Sequence, residues 1–177
     1  RVDLEEHISP DVVRGLLQGR ASLGICWASE HGADLGALQS RLYRSDHLAL
    51  VVHPSHPLAR HKSIRFEQTL DFEHVSLPVN SAVQVMLQRV SATLGKALTY
   101  RVIVSNFEAA LRVVRANLAI SVVPREVADP FAKVHGLRVI PLGDPWAKRR
   151  FAICFRDEAS LAAAARLLLG HLQAVKG

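Results

Sequence analysis

The chain has 177 residues, of which 49% are hydrophobic, 21% charged and 6% aromatic, a balance that can bury a core and excludes a disordered or collagen-like chain. At about 100 to 200 residues per domain, this length predicts one domain or two small lobes sharing a chain. Twenty-two Lys and Arg against sixteen Asp and Glu leave a formal net charge of +6, which suits an acidic partner, nucleic acid or small anion, without bearing on the fold.

Residues 2–5 alternate apolar and charged, as a strand does, and Ser9-Pro10-Asp11 supplies an N-cap, a proline at the first helical position and an acid in the first turn. The helix so begun carries Val12, Val13, Leu16 and Leu17 on one face and stops at Gly19, and residues 23–27 follow as a short buried strand. After a polar loop, a strand runs from Leu42 through Leu48-Ala49-Leu50-Val51-Val52, whose branched residues suit a sheet interior, until Pro54 and Pro57 end it. Residues 66–70 predict a helical turn and 74–77 a strand. Asn80-Ser81 then caps a helix carrying Val83, Met86, Leu87, Val90 and Leu94 and closed by Gly95. After a strand at 99–104, Ser105-Asn106-Phe107-Glu108 fits the capping-box pattern and opens a helix to Ala116, with Asn117 left-handed at its end. A strand at 119–123, a helix from Pro124, strands at 137–142 and 150–155, and an amphipathic helix marked by Leu161, Ala165, Leu168, Leu172 and Val175 complete the chain. This alternation predicts an α/β fold with an open, largely parallel sheet system. With no Gly/Ser linker or internal repeat in the sequence, any two lobes must be joined by strands crossing between them.

No window approaches the roughly 18 consecutive apolar residues of a membrane span, and Arg1-Val2-Asp3 lacks the charged-then-apolar pattern of a leader. A soluble, cytoplasmic protein with no membrane partner is expected, and a chain beginning at Arg1 is expected to be a fragment or processed product. Cys26 and Cys154 each stand in an apolar run, as small buried thiols do. Of nine histidines, His53, His56 and His61 crowd a stretch broken by two prolines, which offers no fixed face for convergent metal ligands. No nucleophile elbow, P-loop or dinucleotide fingerprint is present, and the carboxylate pairs Glu5-Glu6 and Asp157-Glu158 stand at element ends where acids are ordinarily solvated. No catalytic residue, metal or cofactor is therefore expected. Lys148-Arg149-Arg150 lacks interleaved aromatics and predicts a solvated edge in place of a nucleic-acid patch, and no segment has the form of a helix-turn-helix. What remains is a set of helix starts directly after strand ends, at Asn80-Ser81, Ser105-Asn106 and Ser9. Each can either cap its own helix or offer backbone N–H groups to a small anion beyond the sheet's carboxyl edge.

The order of segments resembles a known family. Residues 8–25, ISPDVVRGLLQGRASLGI, resemble a helix followed by the pattern G-x-A/V-D-L-A/G-I. Residues 44–52, RSDHLALVV, with His56-Pro57-Leu58-Ala59, resemble a crossover strand and a recurrent H-P-L-A. Residues 104–124, VSNFEAALRVVRANLAISVVP, are similar to the stretch S-x-x-A-x-x-x-V-x-A-G-x-G-I-x-x-x-P. Together they resemble the effector-binding domain of LysR-type transcriptional regulators over nearly the whole chain. Ser22 stands where the pattern has Asp, which removes any contact of that carboxylate, and Asn117 and Ala119 replace its two glycines; Asn tolerates the left-handed conformation, while Ala119 requires ordinary strand angles.

The resemblance implies two Rossmann-like lobes of the periplasmic-binding-protein type (type 2-like), joined by crossover strands. The first would comprise residues 1–47 and 148–177, without the family's first strand and helix, and the second residues 48–147. It implies a small organic-acid effector, aromatic acids included, in the cleft between lobes, near Ala28, Ser29, Asn80, Ser81, Ser105, Asn106, Phe107 and Val123. Ser81 and neighbouring N–H groups would hold the carboxylate, and Phe107 or Trp27 the apolar body. It further implies a homo-dimer or tetramer in the full-length protein, with DNA contacted only through a winged helix-turn-helix absent from this chain. A periplasmic solute-binding protein for a small anion is the competing expectation, and an enzyme on the same architecture a third.

Overall fold

The computed structural model describes residues 2–28, 33–79 and 81–174. The chain gathers into two compact units, Arg1–Ser45 with Arg149–Gly177 and Asp46–Lys148. Two strands carry it from one to the other: β2 (Gln39–Val52) and β7 (Lys148–Phe155).

In the first unit, α1 (Ser9–Leu17) precedes β1 (Gly24–Trp27), and the chain ends in α5 (Ala163–Ala174). β7 lies between β1 and β2 and runs antiparallel to β1, with Cys26 opposite Ala152. Successive residues of β7 face opposite ways, so they serve two cores. Ala152 and Cys154 join Val13, Leu16, Cys26 and Leu38, while Ile153 and Phe155 join Leu161 and Leu169. Gly24 is what lets α1 approach the strand, since a Cβ there would stand 2.4 Å from Val12 Cγ1.

Two expectations for this unit need correction. Residues 2–8 form no regular element and are mostly exposed, because alternation selects a face but a strand also needs a partner's hydrogen bonds. Ser9 is the first residue of α1, not its cap, which is Ile8; its Oγ instead accepts the Trp27 backbone N–H at 3.0 Å and ties the helix start to the end of β1.

The second unit holds the rest of β2, then β3 (His74–Ser76), α2 (Ala82–Thr93), β4 (Tyr100–Ile103), α3 (Phe107–Arg115), β5 (Ser121–Pro124), α4 (Arg125–His135) and β6 (Arg138–Pro141). β3 pairs parallel with β4, and a parallel bridge joins His74 to Ile120 at the entry to β5. β2 runs antiparallel to both β5 and β6. The expectation of a largely parallel system is therefore corrected: helical crossovers make successive strands parallel, but β2 enters from the other unit without one. Flanked on both edges, Leu48 to Val52 are completely buried. Val51 and Val123 join Leu111 and Val114 of α3 and Ala128 of α4 in the core of this unit. Asn117 closes α3 at φ 55°, the left-handed conformation expected of it, and Gly136 closes α4 at φ 69°.

Within this unit the topology defines two poles. The carboxyl ends of β3, β4 and β5 and the starts of α2, α3 and α4 share one; the end of β2, the starts of β5 and β6 and the ends of α3 and α4 share the other.

Candidate functional site

The strands β3 and β4 end side by side, with Ser76 opposite Ile103 and the Val104 N–H donating to the Ser76 carbonyl at 2.9 Å. The helices that follow them, α2 and α3, both start at the carboxyl edge of this pair. The two starts are built differently.

Ser81 is the N-cap of α2, with extended backbone (φ −72°, ψ 125°), yet no side chain caps that helix. Its carbonyl accepts the Val85 N–H at 3.0 Å and its own N–H donates to Pro78 at 2.8 Å, while its hydroxyl has no partner among the described residues. The N–H groups of the first turn and this hydroxyl together form a concentration of donors suited to a carboxylate or phosphate. Gln84, 2% exposed on the inner face of α2, holds the approach to it. Its Oε1 accepts the Leu77 N–H at 3.2 Å and its Nε2 donates to the Tyr100 hydroxyl at 2.5 Å. A buried amide is tolerated because both ends are satisfied, and the result pins the turn after β3 to the first turn of α2. Sequence reasoning passed over Gln84; the signal was a polar residue inside the stripe Val83, Met86, Leu87.

At α3 the capping box expected from Ser105 to Glu108 is shifted by one residue. Asn106 is the N-cap, and its Oδ1 accepts the Ala109 N–H at 2.9 Å. Glu108 instead pairs with Arg112 at 2.7 Å, one turn on. Ser105 is exposed and its hydroxyl accepts from Asn106 Nδ2 at 3.3 Å. Phe107 is half-buried against the core of this unit. Val123 is completely buried and paired with Ala49, so its side chain serves packing. Asn80 lies outside the described residues.

In the first unit, the Ala28 N–H donates to the Arg150 carbonyl at 2.8 Å, and the Ala28 side chain packs beside Cys26. Trp27 is half-buried, and its indole Nε1 is buried without a hydrogen-bond partner among the described residues, a donor that a polar group could satisfy. Ser29 lies outside the described residues.

Other groups considered in the sequence have structural roles. Cys26 and Cys154 are free, buried thiols; contact with Cys154 and burial push the Cys26 thiol up, away from the thiolate needed of a nucleophile. The His53 ring bonds the Ser55 hydroxyl at 2.7 Å, and His56 accepts the Leu58 N–H at 3.2 Å and packs edge-on to Phe72 at 4.8 Å. His74 is buried with its Nε2–H donated to the Thr69 carbonyl at 3.0 Å; burial lowers its pKa to about 4, against the opposing pull of that carbonyl. Among the described residues no three His, Cys, Asp or Glu side chains could hold a metal ion. In the run Lys148-Arg149-Arg150 the middle residue is not solvated as expected: Arg149 is buried with its guanidinium 5.0 Å from the Phe151 ring. No helix of the described residues is long and apolar enough to cross a membrane.

The family model for the LysR substrate binding domain matches residues 1–177. The chain belongs to this family. The LysR substrate-binding domain has the type 2 periplasmic-binding-protein-like α/β fold, and membership does not favour the transport alternative; its relatives are transcriptional regulators. The chain is 30% identical over 129 residues to the uncharacterized HTH-type transcriptional regulator YwbI of Bacillus subtilis (strain 168), covering 70% of this chain and 41% of that protein. It therefore spans about two fifths of the length of this curated relative. Among solved structures it is similar to the effector binding domain of QuiR in complex with shikimate (TM-score 0.70, 17% identity, 94% of this chain and 77% of that one). It is also similar to the Synechocystis PCC6803 CcmR regulatory domain in complex with 2-PG (TM-score 0.76, 17% identity, 95% and 79%), and to full-length BenM (TM-score 0.74, 22% identity, 98% and 56%).

Proposed function

We propose that this LysR substrate-binding domain senses a small organic acid for a transcriptional regulator. The observation that carries the reading is the start of α2, where Ser81 presents a hydroxyl without a partner among the described residues beside an uncapped first turn, at the same sheet edge as the capped start of α3. The carboxylate is held by Ser81 and the N–H groups after it, and the apolar body rests on Phe107 or Trp27, with Ala28, Ser29, Asn80, Ser105 and Asn106 around it. Ligand sites combine apolar walls with a few placed polar groups in this way. Relatives solved with shikimate and with 2-PG support the chemical class.

The two regulatory lobes are residues 1–47 with 148–177, and residues 48–147, and the acid binds between them. It shifts their arrangement only by the difference in its affinity for the closed and open states, so it must touch both. A homo-dimer or tetramer of the full-length protein passes that shift to an N-terminal winged helix-turn-helix, in the cytoplasm and without a cofactor. Calorimetry against a panel of carboxylates that includes shikimate tests the reading: one member binds with a defined stoichiometry, and a folded protein that binds none overturns it.

A further inference from the structure

The other pole of the second unit has a charge pattern that sensing of a small acid does not use. Three segments meet there, and residues 47–66, 109–125 and 130–143 contain no Asp or Glu at all. β2 ends and β6 begins at this pole, with Val52 opposite Arg138. The loop after β2 is fastened to it by Arg138 Nε donating to the Ala59 carbonyl at 3.3 Å and by Asn117 Nδ2 donating to the Ser55 hydroxyl at 3.4 Å. These bonds hold the loop that carries Arg60 and Lys62 against Arg138 and against the end of α3, whose last turn holds Arg115, while Lys133 stands in the last turn of α4.

All five cations are exposed, and none has a carboxylate partner among the described residues. Acids that flank these segments are engaged elsewhere: Asp71 with Lys96 at 3.0 Å, Glu73 with Arg101 at 2.7 Å, and Asp129, one turn before Lys133, with Arg125 at 3.0 Å. Five unneutralised cations on one surface repel one another, a field that an extended polyanion relieves.

We propose, against the expectation that DNA is contacted only through the absent winged helix-turn-helix, that this pole is a second docking surface, for the phosphodiester backbone of duplex DNA. A ladder of phosphates requires point charges and little else. Single-stranded nucleic acid would require free aromatic faces for its bases, and the rings here are occupied, Phe72 by His56 at 4.8 Å and Phe131 by His135 at 4.2 Å. The exposed apolar residues of the pole, Leu118 and Val134, are aliphatic, not the aromatic anchors on which protein interfaces centre. The contact is independent of sequence and of the acid site at the opposite pole, and it adds DNA affinity to whatever reads the operator.

The test is fluorescence anisotropy of this chain with a labelled duplex of arbitrary sequence over a series of salt concentrations. Binding at low salt is expected to weaken with a log–log slope of the order of −4, close to −0.9 for each phosphate neutralised. The triple variant Arg60→Ala, Lys62→Ala, Arg138→Ala is expected to bring the slope to roughly −2 and to lose affinity at least about tenfold. A control of equal charge, Arg14→Ala, Arg20→Ala, Arg150→Ala in the first unit, is expected to keep most of both. Should removal of Arg138 loosen the loop, seen as a lower melting temperature, the double reversal Arg60→Glu, Lys62→Glu is expected to produce the same loss with the loop intact. Absence of binding by the wild type, an unchanged slope in the variants, or an equal loss in the control overturns the proposal. So does binding of poly-glutamate without binding of duplex DNA, which would make the partner an acidic protein.

Discussion

The starts of α2 and α3 follow neighbouring parallel strands and face the same edge, yet one is closed and the other open. At α3 the Asn106 carboxamide satisfies the Ala109 N–H at 2.9 Å. At α2 no side chain does the equivalent work, although Ser81, a residue type as suited to capping as Asn, occupies the position. Fold stability alone would favour closing both. Under the proposed function, the uncapped start, with the turn before it pinned by the buried Gln84, is where an external carboxylate would substitute for the missing cap.

The comparison presumes that both starts ride on one packed body, and the largest effects come from breaking that body. Leu111, 1% exposed in the core beneath α3, replaced by Ala, is expected to cost about 3 kcal/mol, read as a lower urea midpoint, and to weaken acid binding in proportion to the unfolded fraction. Acid breaks it from the other side of the sheet. His74 has a folded pKa of about 4 against its ordinary 6.5, so the unfolded chain takes up the proton first. Its effect on stability is nil above pH 6.5 and grows as the pH falls toward 4, reaching roughly 3 kcal/mol. Urea titrations across that window should show the loss, and His74→Gln, which keeps a neutral donor, should flatten it.

Smaller effects separate the two starts. Asn106→Ala removes a working cap and is expected to destabilise by about 1 kcal/mol, with Asn106→Asp restoring most of it; thermal melts check both. Ser81→Ala removes no cap bond and is expected to change stability by less than about 0.5 kcal/mol in the same melts, while weakening the acid.

The elements were legible where the local signal was unambiguous: the apolar stripe of α2, the branched run of β2 and the left-handed Asn117 all stand where the residues predict them. Pairing was not. Alternation in residues 2–5 describes a face without supplying a partner strand, and the antiparallel direction of β2 follows from its entry from the other unit, which no local pattern records. The cap of α3 was legible only to within one residue, because Ser105 and Asn106 are both competent and the extended backbone of Asn106 (φ −157°) decides between them. At the site, Ser81 was visible as a residue type after a strand. Its lack of a cap bond and the Leu77–Gln84–Tyr100 connection depend on contacts across elements, which sequence spacing does not report.

The most direct test is a calorimetric titration of wild type, Ser81→Ala and Asn106→Ala with the tightest-binding acid of the carboxylate panel, each variant checked for folding by its melting temperature. Ser81→Ala is expected to lose about tenfold or more in affinity, the scale of one hydrogen bond to a charged group, at an unchanged melting temperature, while Asn106→Ala melts earlier and keeps most of its affinity. Wild-type affinity in Ser81→Ala would contradict a carboxylate held at the open start of α2.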